Sequence, residues 1–561
     1  MRFAVAFFIS LHLALFAADD SGGEKNRFWV LCYHDVVDKI TDPNLPSITT
    51  EQLISHFEWL KRNGYSVVSV DDILDAKARK RDLPEKSVML MFDDGYKSFY
   101  TRIFPLLKLY DYPAVFALVG KWQETPMGEK FRYGTVPKPR SLLLSWREVK
   151  EMMDSGLIEI ASHGYDAHYG IISNPQKNTR PFYNTFMYKD GRYESVKEYI
   201  KRVEADIKRS SDTLFKHTGK RPRIIVWPYG AYNSTVVEIA GKYGMKITAS
   251  LDDGQNTLED VGVLKRFLIG NDADLGDFIW SVKPYDDGFK RALFVDIDNI
   301  YDSDPQIADE RLGRVLDTIK KIAPTDVFVK GYSDTDGDGV ADALYFPNGV
   351  LPVRADLLSR VVWQIKSRTG YTRVHVQMPL QRYRFDAKRA DVEKAVEDLY
   401  LDMAKYTFFH GVAMEWEYSP DADFKKVLKL IDNIEKGVER FSMRHKLSLV
   451  TDAKTVPDMK EKASSVLNRF DFVIAGMEDM NITERDFGLF IRTIKEVDNG
   501  NLLIKFDDVG QDEAKISRMM HLLSIEGVMD FGYERRDYIE WDVSPGFMKS
   551  FSLNYDPFVK M

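Results

Sequence analysis

The run Met91-Phe92-Asp93-Asp94-Gly95 follows directly on an apolar, strand-like segment, Ser87–Phe92. Two adjacent carboxylates at a strand end repel one another and destabilise the fold unless a cation or a proton-transfer task engages them. A solvated Asp-Asp-Gly turn is the plain alternative for the motif standing alone. It does not stand alone. Ser162-His163 and His168 lie in the polar stretch SHGYDAHYG, directly after the apolar run Gly156–Ala161. Two imidazoles at this spacing in a loop can converge on one ion, and imidazole is the commonest nitrogen ligand of zinc. One carboxylate and two histidines form a facial set that leaves positions open for water and substrate. Trp227-Pro228-Tyr229-Gly230 closes a further strand-like run, Arg223–Trp227, and its rings can wall a groove that stacks on sugar faces.

The elements that must position these groups alternate between strand-like and helix-like segments over residues 28–270, as in an α/β domain. Phe28–Tyr33 and Ser87–Phe92 read as buried strands. Thr50–Asn63 and Ser195–Gly219 carry helical spacing, and the second stops at a glycine shortly before a proline. Gly170–Ser195 is polar and rich in turn residues, a long loop or hairpin whose length fits a binding role. A Pro-, Asp- and Gly-rich stretch at Val282–Phe289 marks the domain boundary, giving domains over 27–285 and 290–561. Beyond it come eight apolar runs: Ala292–Ile297, Asp326–Gly331, Arg373–Met378, Gly411–Glu415, Leu447–Thr451, Phe470–Ala475, Leu502–Phe506 and Gly527–Gly532. Helix-like, charge-laced segments separate them, the pattern of a (β/α)8 TIM barrel. Acids gather at or after the ends of these runs: Asp296 and Asp298, Glu415 and Glu417, Glu478, Asp507 and Asp508, and Glu534. Barrel active sites lie at that end, so a polar cleft is expected there.

Length and composition agree with two cores. The chain has 561 residues, 44% of them hydrophobic, which exceeds what one core accommodates and is too apolar for disorder. With 78 Lys and Arg against 86 Asp and Glu, the formal charge is −8, which argues against a nucleic-acid binder. Met1–Ala18, MRFAVAFFISLHLALFAA, has the form of a secretory signal peptide cleaved near Ala17 or Ala18. An uncleaved anchor is the alternative, although the apolar run is short for a bilayer. No cysteine follows that run, so a lipoprotein anchor is not expected, and the destination is periplasmic or extracellular. No transmembrane helix is expected after signal removal. The single cysteine, Cys32, excludes an intramolecular disulfide and reads as a small buried hydrophobe.

Phe92-Asp93-Asp94-Gly95, the His163/His168 pair and Trp227-Pro228-Tyr229-Gly230 together resemble the successive motifs of NodB-type polysaccharide deacetylases. The resemblance is closer to the biofilm poly-β-1,6-N-acetyl-D-glucosamine N-deacetylases, through Leu-Cys-Tyr-His-Asp-Val at Leu31–Val36, the four residues between the histidines, Asp336–Gly339 and Phe346–Asn348. It implies a circularly permuted (β/α)-barrel deacetylase domain followed by a glycoside-hydrolase-like TIM barrel. It also implies that Asp94, His163 and His168 bind one divalent metal, zinc first, with cobalt or nickel also accepted. Asp93 would be the general base. Most relatives take the general acid from a histidine near the domain's end, but no histidine lies between His217 and His375. His217 reads as a solvated helix-end residue and His56 as part of a helix, which leaves His34 as the acid. A histidine that orients a ligand is its alternative role.

The resemblance further implies that the barrel cleaves or binds partly de-N-acetylated glucosamine polymer. Relatives carry His-Asp-Asp-Ala after the fourth strand, where this chain has Glu415-Trp416-Glu417-Tyr418. Glu417 can still serve as acid or base, and Trp416 can be a stacking platform. Hydrolysis normally uses two carboxylates, and Asp296, Asp298, Glu415 and Glu417 are the candidates. Asp334, Asp336, Asp338 and Asp342 resemble a calcium loop, but its twelfth position is Tyr345 rather than Glu. A sugar-binding loop using Asp336 and Asp338 is the favoured reading. The expected partners are the polysaccharide and an outer-membrane export protein. Deacetylation of chitin or peptidoglycan, or a non-catalytic carbohydrate-binding scaffold, are the alternatives.

Overall fold

The computed structural model describes residues 25–41, 45–282, 290–369, 372–386, 388–442, 445–477, 483–495, 501–508, 513–525, 530–535, 543–544, 547 and 551. The expected signal peptide, Met1–Ala18, and Glu478 lie outside them. The chain divides into two compact units. The first comprises Met1–Tyr169, Glu204–Ala231 and Ile239–Pro284; the second comprises Gly170–Val203, Tyr232–Glu238 and Tyr285–Met561. Two segments that precede the expected boundary therefore group with the second unit.

The first unit is built on nine parallel strands: β1 (Phe28–Tyr33), β2 (Ser66–Val67), β3 (Ser87–Phe92), β4 (Ala114–Leu118), β5 (Ile158–Ser162), β6 (Ile224–Val226), β7 (Ile247–Ala249), β8 (Val263–Leu264) and β9 (Phe267–Leu268). Their order is β8-β7-β6-β5-β4-β3-β1-β9, with β2 also paired to β3. Every residue of β1, β3 and β4 is buried, as in a parallel sheet covered on both faces. The two edge strands, β8 and β9, are separated only by Lys265 and Arg266, so the sheet curls back on itself and leaves its gap there. The helix Thr50–Arg62 starts on a Thr49/Gln52 capping box and turns Leu53, His56, Phe57 and Leu60 inward. The helix expected over Ser195–Gly219 runs Val196–Thr218 and stops at Gly219, whose φ of 74° suits glycine.

The second unit is a closed barrel of eight parallel strands in sequence order: β10 (Arg291–Asp296), β11 (Asp326–Lys330), β12 (Arg373–Pro379), β13 (Gly411–Glu415), β14 (Lys446–Asp452), β15 (Phe472–Met477), β16 (Leu502–Asp508) and β17 (Phe531–Arg535). β17 pairs with β10 to close it. The expected TIM-like barrel is present, with several strands displaced from the expected runs: β15 runs Phe472–Met477 rather than Phe470–Ala475, and β16 extends to Asp508. Gly527–Met529 lie outside the described residues; the last strand is described over Phe531–Arg535, so Glu534 lies within it instead of beyond its end. The segment expected as a loop or hairpin, Gly170–Ser195, forms two short hairpins, Gly170–Ile172 with Thr179–Pro181 and Tyr188–Lys189 with Arg192–Tyr193. Within the second unit Arg180 is buried and donates to the Tyr406 carbonyl at 2.8 Å, and Tyr193 donates its hydroxyl to Asp356. Among the described residues, no helix is long and apolar enough to cross a membrane.

Candidate active site

Asp93 and Asp94 leave the C-terminal end of β3 in a turn where Asp94 and Gly95 have φ of 80° and 82°. A side chain on Gly95 would meet Gln123 Nε2 at 2.4 Å, so this position needs glycine for both conformation and space. The turn buries the Asp94 side chain completely, and neither of its oxygens receives a hydrogen bond. Instead Oδ1 faces His163 Nε2 at 3.5 Å and His168 Nε2 at 3.3 Å. His163 Nδ1 sits 2.8 Å from the Val226 carbonyl, which can only accept, so Nδ1 carries the proton. Burial pushes His163 down to about 4, which leaves its Nε2 as a bare lone pair near neutral pH. A lone pair aimed at an unpartnered buried carboxylate is unfavourable with nothing between them. Four-coordinate zinc, with metal–nitrogen and metal–oxygen bonds of about 2.0–2.1 Å, places such atoms about 3.3–3.5 Å apart. The three expected ligands thus fit one divalent ion, and their atoms lie within 4.8 Å of one another.

Two devices that sequence reading missed hold this set. Asp206, buried in the helix Val196–Thr218, accepts the backbone N–H groups of Tyr165 and Asp166 at 2.9 and 2.8 Å, fixing the turn between the histidines. Trp122, Tyr133 and Tyr229 surround the His168 ring, with centroids 4.9, 5.1 and 4.6 Å away.

Asp93 has a different environment. Arg266, in the gap between β8 and β9, places Nη1 2.9 and 3.0 Å from its two carboxylate oxygens, with both side chains buried. Burial pushes the Asp93 carboxyl up, but Arg266, with smaller help from His163 and His34, outweighs that and holds it well below the usual range. Asp93 is therefore ionised at neutral pH, as a base must be. Its expected partner His34 follows β1 and is half-buried; Cys32 Sγ, His34 and Asp93 present donor atoms within 4.8 Å of one another. Cys32 is buried as expected, but its thiol also reaches Asp93 Oδ2 at 3.5 Å. His56 is buried in its helix, stacked on Phe278, and His217 stacks on Trp146 rather than standing free in solvent.

The sugar-stacking expectation needs correction. Trp227 and Pro228 are buried, because Trp227 continues β6 into the core, so of this motif only Tyr229 presents an accessible ring, 44% exposed. Trp416 is likewise only 2% exposed and cannot act as an open platform; its ring packs edge-on to Tyr418 and Phe424.

At the C-terminal ends of the barrel strands, Glu415 accepts from the Tyr332 hydroxyl, at 2.8 and 2.6 Å to its two oxygens, and from Gln377 Nε2 at 2.5 Å. Asp296 pairs with Lys330 at 2.9 Å, and burial still pushes its carboxyl up. Asp298 is bound by Arg354, Ser333, Tyr345 and the Asp334 amide. Lys505 pairs with Glu534. Glu417 is largely exposed and meets Arg382 at 3.6 Å. Asp507 and Asp508 close β16. In the Asp-rich loop, Asp336, Asp338 and Asp342 all bind Arg384, and Asp334 accepts from the Gly337 and Gly339 amides. A guanidinium thus holds the carboxylates that a calcium ion would take, and antiparallel strands, Tyr332–Ser333 and Ala343–Leu344, flank the loop instead of helices. Its geometry is not that of an EF-hand.

Residues 80–248 match the polysaccharide deacetylase family model, and residues 294–397 match hypothetical glycosyl hydrolase family 13. Over residues 80–248 the chain is thus similar to polysaccharide deacetylases. More particularly, it is similar to the poly-β-1,6-N-acetyl-D-glucosamine N-deacetylases: it is 34% identical over 364 residues to the protein of that name from Escherichia coli K12. That alignment covers 64% of this chain and 54% of the relative, so the chain spans about half the length of that curated relative. A solved de-N-acetylase from Aggregatibacter actinomycetemcomitans is 41% identical, covering 46% of this chain and all of that one, with a TM-score of 0.44. The PgaB (BpsB) glycoside hydrolase domain of Bordetella bronchiseptica is 20% identical, covering 48% of this chain and all of that one, with a TM-score of 0.43.

Proposed function

We propose that this protein is a metal-dependent hydrolase that removes N-acetyl groups from poly-β-1,6-N-acetyl-D-glucosamine during its export as a biofilm polysaccharide, and that it acts in the periplasm or outside the cell. The observation that carries the reading is the orphaned Asp94 carboxylate facing two imidazole nitrogens, beside an ionised Asp93 held by Arg266. The names of its homologues support the substrate, and Met1–Ala18 supports the location.

Asp94, His163 and His168 would hold the metal. Once bound, a divalent ion, zinc first among zinc, cobalt and nickel, polarises the acetamide carbonyl and acidifies water. Asp93 takes the proton from the attacking water, and Arg266 keeps it ionised until that moment. His34 supplies the proton to the departing amine nitrogen, which leaves as a glucosamine unit while acetate is released. Tyr229, the exposed ring beside His168, offers a face to the sugar. In the barrel, the oriented Glu415 and the paired Asp296 and Lys330 give a polar surface at the strand ends suited to binding the partly deacetylated polymer. An outer-membrane export protein is the expected partner.

The test is acetate release by the zinc-loaded full chain from matched β-1,6- and β-1,4-linked N-acetylglucosamine oligomers and from peptidoglycan fragments. Faster release from the β-1,6 series supports the assignment. Release only from the others keeps the chemistry and replaces the substrate, and no release from any leaves a carbohydrate-binding scaffold.

A further inference from the structure

Cys32 has no part in the chemistry above, yet its thiol sits at the centre of it. β1 and β3 run parallel with Cys32 opposite Met91 and Tyr33 opposite Phe92, and the Asp93 amide donates to the Tyr33 carbonyl at 2.9 Å. This register sets Asp93 beside the end of β1. Cys32 and His34, two residues apart, fall on the same side of the extended chain. The result is a second donor set, Cys32 Sγ, a His34 ring nitrogen and an Asp93 oxygen, all within 4.8 Å of one another. Two further observations point to a ligand. His34 Nδ1 is buried with no hydrogen-bond partner. The Cys32 thiol donates to Asp93 Oδ2 at 3.5 Å, and tetrahedral zinc in place of that proton, with thiolate and carboxylate bonds of about 2.3 and 2.0 Å, keeps the two atoms about 3.5 Å apart.

We infer that Cys32, His34 and Asp93 form a second, inhibitory divalent-metal site for zinc-like ions, beside the Asp94–His163–His168 centre. Its ligands are the base and the acid of the proposed deacetylation, so an ion bound there stops turnover by occupying both. This consequence rests on the proposed function; the binding itself does not. A cysteine binds a metal as its thiolate, so the sulfur's proton passes to solvent as the sulfur–metal bond forms. Arg266 can keep Asp93 Oδ1 while Oδ2 turns to the ion, but its positive charge opposes the second cation. The second site consequently fills after the first. A thiolate ligand selects zinc, cobalt and cadmium over magnesium and calcium.

The experiment titrates cobalt into the metal-free full chain while following near-ultraviolet absorbance and acetate release together. The chain has one cysteine, so any thiolate-to-cobalt band reports Cys32. The first equivalent should give activity without that band. The second should give the band and reduce activity at least tenfold. Cys32→Ser should lose the band and raise the inhibitory metal concentration at least tenfold. Uptake of a single equivalent, or inhibition with no thiolate band in the wild type, overturns the site whether or not the variant folds. If no acetate appears at any loading, the deacetylase reading fails, while stoichiometry and the band still decide the second site.

Discussion

Arg266 Nη1 lies 2.9 Å from Asp93 Oδ1 across 173 residues of sequence, and both side chains are buried. The two-residue gap between β8 and β9 exists where this guanidinium enters. The pairing separates two neighbouring carboxylates into two tasks: Asp94 faces the imidazoles and is free to bind a cation, while Asp93 is neutralised by an arginine and kept ionised as a base. Adjacent acids at one strand end thus avoid the mutual repulsion that the sequence alone leaves unexplained.

Replacing Arg266 with Gln should move the acid limb of the kcat/KM profile to higher pH. Burial raises the Asp93 carboxyl and Arg266 lowers it, so removing the guanidinium leaves the raising influence, and the base is protonated at pH values where the wild type is active. The same variant should lose about 3–5 kcal/mol of stability, because a buried charge loses its partner. An unchanged acid limb in a folded variant would remove Asp93 from the role of base.

The two aromatic positions should separate by phenotype. Trp416→Ala should destabilise the second unit by about 3–5 kcal/mol, the usual loss for a buried ring, visible in denaturant midpoints. Tyr229→Ala, at a ring that is 44% exposed but packs on His168, should cost clearly less stability than Trp416→Ala, while raising KM for long oligomers. If instead Trp416→Ala kept full stability and lost polymer binding, its ring would be a binding surface after all.

His56 makes the first unit acid-sensitive. Burial lowers it from 6.5 to about 4, so above pH 6.5 it is neutral both folded and unfolded and contributes no pH dependence. Below pH 6.5 the unfolded chain gains a proton that the folded chain refuses, and stability falls until about pH 4, by about 3 kcal/mol in all. His56→Leu should flatten the stability curve over this window by about one proton, measured from urea midpoints against pH.

Much of this arrangement was legible in the sequence. Asp93, Asp94 and His163 follow strands marked by largely apolar runs, with His168 in the loop beyond, and the eight barrel strands announce themselves by the same signal. What stayed hidden came from long-range pairing or from burial. Arg266 lies in a short linker with no periodicity, and Asp206 is one acid among many on a charged helix. The fates of Trp227 and Trp416 depend on which way a strand end turns, which residue type does not determine. Glu534 lies inside its strand because pairing continues past Gly532 to Arg535, beyond the end of the apolar run. The segment Gly170–Ser195 reads as a loop of the first half, and long-range contacts such as those of the buried Arg180 and the Tyr193–Asp356 bond place it with the second unit.

The most direct measurement is acetate release from β-1,6-linked N-acetylglucosamine oligomers by the chelated chain, by the chain reloaded with one equivalent of zinc, and by Asp93→Asn carrying the same single zinc. The account predicts no release after chelation, recovery with zinc, and a loss of about 10²–10⁴-fold in Asp93→Asn despite its full metal content. Undiminished release after complete metal removal, or an Asp93→Asn variant as fast as the wild type, would contradict it.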